Sequence, residues 1–350
     1  MNNRKYSVSV LKKFPNLTAI HHIEPNNTVW ATFKRSILRG DGNIWSEVAK
    51  FPRCYPRDLF GFSRPTARVM RSDKCNIYVN SSGYILGIRG GTVYEIDLAN
   101  GLRRLFDIQG DCVLHGGISE DALGWSYIGE YFMNPDRRPV RIWRVSPNLE
   151  IFEVAFEFPA KSIRHVHGIY RDPFVPENLW VTVGDLNGEC FLGRTSDRFR
   201  SLIFFGDGLQ SWRAVKLFFT ASHVCWLTDS EVTPNRACKM ERVSGRMQYG
   251  QAIDCSTWYG TTTKEGLHVA FTTVESGPAI KRNESCILVS EDGFSWEEIY
   301  SFKKDFYRPI RLFKAGIIFS PSGTITQDNF YISGEGLIGL DGCSLLLKIS

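Results

Sequence analysis

The chain has 350 residues, of which 43% are hydrophobic, 13% aromatic and 23% charged, a globular composition that excludes a disordered, collagen-like or coiled-coil protein. Its 42 basic and 37 acidic residues leave a formal charge of +5, with no Lys/Arg block longer than a pair, which argues against a nucleic-acid-binding arm. The nine cysteines are scattered without a C-x-x-C pair, as expected of reduced core thiols in a cytoplasmic protein. The first 20 residues lack the apolar core of a secretory signal, and no apolar run is long enough to span a bilayer.

In chain order, β-branched and aromatic runs bounded by Gly, Asp, Asn and Pro predict strands over 28–33, 76–79, 141–145, 179–183, 223–228, 267–273 and 343–348. Helix signals are almost absent. The runs belong to a recurring unit whose openings fall near Ile20, Arg68, His115, His165, Trp212, Trp258 and Arg311. A period of roughly 48 residues fits four antiparallel strands with their turns, which is one blade of a β-propeller. Seven units nearly consume the chain, so the expectation is an all-β single domain over 1–350, a seven-bladed β-propeller. The leftover alternating stretch 5–11 is expected to supply the outer strand that closes the ring. Six blades or a β-sandwich pair are the alternatives; a sandwich does not demand the period.

Residues 290–296 read Ser-Glu-Asp-Gly-Phe-Ser-Trp, with degraded copies at 195–200 and 40–45. An Asp capping the amides of a turn, a Gly at positive φ and a Trp packed beneath form a self-contained hairpin tip. The segment resembles the Asp-box of sialidases and related BNR-repeat glycosidases. The stretch 125–230, through Gly129–Tyr131, Arg164–Gly168, Val183–Asp185, Gln210–Arg213 and Thr228–Ser230, also looks like bacterial proteins labelled sialidase-like or glycosyl hydrolase. The resemblance implies a propeller and a sialidase-like, glycosidase activity, with the Asp-boxes structural and remote from the site.

In a propeller the start of each innermost strand and the end of the second lie on one face. Second-strand ends carry Glu130, Asp185, Asp229 and Glu275; first-strand starts carry His21, His22, Arg68, His115, Arg164, His165, His167, Trp212, Arg213 and Arg311. These residues are expected to ring one mouth of the channel. Glu130 and Asp185 are the expected acid/base pair, with Asp229, His165 and His167 assisting, since two carboxyls across a sugar ring can run glycosidic cleavage. Arg213 and Arg164 are expected to clamp an anionic group, with Trp212, Tyr131, Gln210 and His115 lining the substrate. The expected partner is an anionic carbohydrate or sugar conjugate, with no nucleic acid and no membrane span. No cofactor is expected; the alternative is a divalent metal on His115, His165 and His167, two imidazoles two apart on a strand pointing the same way, serving a lyase or epimerase of uronic-acid sugars. A non-catalytic propeller that binds glycan or protein is the rival from another class.

Overall fold

The computed structural model describes residues 5–350. It contains seven sheets that form the seven four-stranded blades of a β-propeller. Blade 1 is built from Ala19–Ile23, Val29–Phe33, Ser36–Gly40 and Trp45–Lys50. Blade 2 comprises Asn76–Val79, Ile85–Arg89, Thr92–Asp97 and Gly101–Asp107. Blade 3 comprises Ser119–Glu120, Ser126–Gly129, Val140–Val145 and Phe152–Phe158. Blade 4 follows with Val166–Arg171, Leu179–Val183, Cys190–Thr195 and Ile203–Gly208. Blade 5 has Phe218–Phe219, His223–Leu227, Asn235–Glu241 and Met247–Ile253. Blade 6 has Ser256–Thr262, His268–Thr273, Glu284–Ser290 and Glu297–Lys303.

Blade 7 takes three strands from the C-terminal part, Ile317–Phe319, Phe330–Glu335 and Ser344–Ile349, and its outermost strand, Val8–Phe14, from the N-terminal part. Val8 pairs with Ile349 and Phe14 with Ser344 in an antiparallel register. The ring is therefore closed as the sequence predicts, with the closing strand shifted a few residues along the chain. Closure satisfies the edge that Ser344–Ile349 would otherwise expose.

The second strands are nearly all buried because both faces of each blade are covered by neighbouring blades. Trp30, Trp180 and Trp226 sit on the second strands of blades 1, 4 and 5 and are almost fully enclosed. Between blades 3 and 4, Tyr127, Ile142 and Val166 pack with Ile169 and Val181; between blades 4 and 5, Trp180 and Leu192 pack with Trp226 and Met240. All nine cysteines are unpaired thiols. No helix among the described residues is long and apolar enough to cross a membrane.

Four of the expected unit openings lie in connections rather than on innermost strands, His115 among them in a turn before Ser119–Glu120. Arg68 is in the helix Arg64–Met70, Trp212 in the short 3-10 turn Gln210–Trp212, and Arg311 in the helical turn Ile310–Phe313. The helix had a legible start: Ser63 caps it by accepting from the Thr66 amide, and a proline stands in its first turn. The long connections 51–75 and 304–316 each run from an outermost strand to the next innermost one. Since first strands start at the mouth and second strands return to it, these connections cover the face where second strands end.

The hairpin tip at 290–296 forms on the opposite face with the expected local geometry. Asp292 accepts from the amides of Phe294 and Ser295 at 2.8 and 2.7 Å, and Gly293 has a φ of +71°. Trp296 is buried against Phe218, with ring centroids 4.9 Å apart. Asp197 and Asp41 cap the corresponding turns of blades 4 and 1.

Candidate active site

A cavity of about 550 Å³ opens at the mouth face of the channel. Asp185 stands at its centre, just past the second strand of blade 4. Arg164 Nη1 donates to Asp185 Oδ2 at 2.6 Å, and Arg213 Nη2 lies 3.3 Å from Oδ1. His167 Nε2 is 3.2 Å from Oδ1 and His165 Nε2 is 3.4 Å from Oδ2. Burial works to raise the Asp185 carboxyl, but His165, His167 and Arg213 together hold it well below the usual carboxylate range.

The proton positions on the two imidazoles follow from their other contacts. His165 Nδ1 is 3.0 Å from the Phe132 carbonyl, and His167 Nδ1 is 2.9 Å from the Ala214 carbonyl. A carbonyl oxygen only accepts, so each Nδ1 carries a proton. Both Nε2 atoms turn toward the same carboxylate, His167 Nε2 within hydrogen-bond distance of Asp185 Oδ1. Burial lowers the pKa of His165 against the pull of Asp185, and its Nε2 has no hydrogen-bond partner. Two imidazole nitrogens converging on a carboxylate are a set that a cation, a proton or a metal ion, can satisfy. The Nε2 atoms and an Asp185 oxygen all lie within 4.8 Å of one another, and Nδ1–H bonded to a carbonyl is the outer-shell arrangement that orients metal-binding histidines.

A second carboxyl group adjoins this one. Arg213 Nε is 3.1 Å from Asp229 Oδ2 and its Nη1 is 2.7 Å from Glu231 Oε2. Trp258 Nε1 donates to Asp229 Oδ1 at 2.8 Å. Burial raises the Asp229 carboxyl against the pull of Arg213. Glu275, at the end of the second strand of blade 6, is pushed up to about 8 by burial and by the neighbouring Asp229. Burial and the nearby Arg71 bring Lys314 down to about 8 against the pull of Glu335 and Asp111, and it has no ion pair among the described residues. Tyr131 packs against His165, ring centroids 4.2 Å apart.

Of the residues expected in the site, the cavity gathers Asp185, His165, His167, Asp229, Arg213, Arg164 and Tyr131. Four others lie elsewhere. Glu130 stands one residue past its second strand, whereas Asp185, Asp229 and Glu275 stand two past theirs, so Tyr131 takes the cavity-facing position in blade 3 and the Glu130 carboxylate turns into the blade. It accepts from the Gln109 and Arg141 amides, Gln109 Nε2 and Trp143 Nε1 at 3.0 to 3.2 Å. With four donors it is a structural anchor, so the expected Glu130–Asp185 pair does not form. His115 stacks on Phe319 at 3.8 Å beside His21 and Tyr259, inside the channel and apart from the His165–His167 pair. Trp212 is buried against Trp226. Gln210 is buried and donates to the Asp185 carbonyl at 2.8 Å, so it supports the site without lining it. The side chains spaced so that they could hold a metal ion are His165, His167 and Asp185, with Asp185 in the place expected for His115.

Sequence reasoning missed Arg71, Asp111, Glu231 and Lys314 as lining residues. Arg71 and Lys314 come from the interblade connections, which the repeat does not register. Both have positive φ despite carrying side chains, a departure invisible to pattern reading.

No protein-family model and no curated protein sequence matches the chain. Solved structures do. A chain of a mitotic checkpoint complex aligns with a TM-score of 0.58 at 11% identity, over 99% of this chain and 93% of that one. The oligogalacturonate lyase of Vibrio parahaemolyticus aligns at 0.57 and 8% identity, over 99% and 94%. YCF48 bound to D1 peptide aligns at 0.53 and 9% identity, over 99% and 96%. At these identities the likeness is one of fold.

Proposed function

We propose that the protein is a metal-assisted carbohydrate-active enzyme that cleaves an anionic sugar chain by elimination at the channel mouth. The convergence of His165 Nε2 and His167 Nε2 on Asp185, with both Nδ1 protons bound to carbonyls, is the observation that carries this reading. These three side chains would hold a divalent cation, which when bound neutralises a substrate carboxylate and acidifies the adjacent C–H. Arg164, at the cavity wall, places a guanidinium beside the same position and orients the carboxylate. Lys314 is the group in the cavity able to take a proton near neutral pH, and Glu275 the one able to give a proton to the leaving oxygen. Trp258 and Tyr131 offer ring faces to the sugar. The reading is in keeping with the Vibrio parahaemolyticus neighbour of the same fold, which is an oligogalacturonate lyase.

Hydrolysis by a carboxyl pair is the second reading, and the protonated Glu275 beside Asp229 favours it over the original Glu130–Asp185 pair. The sialidase-like version fits less well. Tyr131 packs on the His165 imidazole rather than on a glutamate.

Metal analysis of the purified protein separates the readings. One equivalent of divalent metal, lost in His167→Ala, together with ultraviolet absorbance from an unsaturated product on uronic-acid oligomers, is expected. Metal-free protein that releases reducing sugar without that absorbance would overturn elimination in favour of hydrolysis.

A further inference from the structure

A second opening lies on the same face, outward of blade 1. It encloses about 370 Å³ between the blade 1 turn at Lys34–Arg35 and the connection 51–75, and Arg53, Tyr55 and Phe62 complete its basic and aromatic wall. Lys34, Arg35 and Arg53 have no carboxylate within ion-pair distance among the described residues, although most arginines of this chain do. The two acidic residues that line the groove are already engaged. Asp58 is ion-paired with the buried Arg89 and accepts from the Cys54 amide, and Asp73 is paired with Arg64. The three groove cations thus lack a direct ion pair among the described residues, with Asp58 acting on Arg35 and Arg53 only from a distance.

The local chain spends conformational energy to put them there. Lys34 is the first residue of a two-residue hairpin turn and has a φ of +56°. Gly, Asn or Asp normally fills such a position, and a lysine there is strained. Arg35 Nη1 donates to the Phe51 carbonyl at 2.5 Å, and Arg53 Nη1 to the Tyr55 hydroxyl at 3.0 Å, which fixes both guanidinium groups against the groove wall. Tyr55 and Phe62 remain 61% and 74% exposed. Cations arranged around exposed aromatic rings recognise a ligand that has both negative charge and an apolar face, which describes an acidic sugar residue. The groove also adjoins the central site. Arg71 lines the cavity and the next residue, Ser72, lines the groove, so one thickness of backbone separates them.

We propose that this groove is a distal subsite that binds an acidic residue of the same anionic oligosaccharide whose other end enters the central cavity. The choice of carbohydrate rests on the function proposed above; the groove's affinity for anions stands on its own geometry. The geometry further implies that oligomers bind more tightly than monomers.

Binding of galacturonate, hexagalacturonate and a sulfated heparin hexasaccharide to the full chain, by titration calorimetry, tests this. At least one hexamer should bind more tightly than the monomer. The triple variant Lys34→Gln, Arg35→Gln, Arg53→Gln should weaken that hexamer tenfold or more and leave the monomer unchanged. If the triple variant misfolds, Lys34→Gln with Arg53→Gln retains the Arg35–Phe51 contact and should still weaken it severalfold. Equal hexamer affinity in wild type and variant, no hexamer binding to wild type, or equally tight binding of cellohexaose would each overturn the subsite. Arg164→Gln should weaken the monomer. If it does not, while the triple variant still loses the hexamer, the central-site reading fails and the groove stands.

Discussion

Lys314 and Glu275 are both brought to about 8, from opposite directions and for the same physical cause. Burial disfavours whichever form is charged, so the amine loses its proton more easily and the carboxyl holds its proton longer. Elimination needs Lys314 neutral, which is gained as pH rises through 8, and Glu275 protonated, which is lost as pH rises through 8. The profile of kcat/KM should therefore be a narrow bell centred near pH 8. Lys314→Met should lower the rate by about 10²- to 10⁴-fold and abolish the acid limb. Glu275→Gln should do the same to the alkaline limb. Unchanged limbs in both variants would assign the protons to other groups. Glu130 shows how much one residue of register matters: it stands one residue past its second strand where Asp185 stands two past, so it faces away from the cavity and is held by Arg141 and Trp143 of its own blade and by Gln109 of the preceding connection.

At the scale of elements, the repeat was legible because each blade must alternate buried and turn residues over a fixed length. The predicted strands at 76–79 and 179–183 match the observed ones, and the others agree to within a residue or two. The Asp-box was legible because its hydrogen bonds are local, from Asp292 to residues two and three ahead. The connections were not legible, because what places them is contact with distant chain: Arg68 in the connection helix pairs with Asp305, and Lys74 with Glu335. The closing strand is held similarly at long range. Phe14 is buried, edge-on to Trp45 and beside Tyr331, and so joins blade 7 to blade 1. Phe14→Ala should cost about 3 kcal/mol, from lost transfer energy and the residual cavity. Urea denaturation reads this as a lower midpoint at unchanged slope, and a loss below about 1 kcal/mol would show that the ring closes without this anchor.

The whole molecule buries several imidazoles with no ion pair among the described residues. Burial lowers His21 to about 3, and His22 and His268 to about 4; His115 is also held well below its usual value, first by burial and then by His21. Unfolded, these rings take up a proton below about 6.5, whereas folded they do not. Their contribution to stability is therefore complete above pH 6.5 and is lost as pH falls toward 4. The slope is about 1.4 kcal/mol per pH unit for each ring. Denaturation midpoints should fall steeply from pH 6.5 to 5, and less steeply in His268→Gln. Parallel curves for the two proteins would mean that His268 titrates normally in the fold.

The sequence by itself determined the propeller repeat, the N-terminal strand as the one that closes it and the register that sets Asp185, Asp229 and Glu275 at one mouth, because strand alternation and a period near 48 residues are properties of the chain alone; the count of seven blades over six was decided by the structure. Only the tertiary structure decided which of those residues share a cavity. Side-chain direction at a strand end depends on donors from elsewhere, as Glu130 and Gln210 show. The residues that complete the site, Arg71 and Lys314, arrive on connections separated by more than 200 positions. The cation-complementary pair of imidazoles likewise required two carbonyls, Phe132 and Ala214, that the chain brings from neighbouring blades.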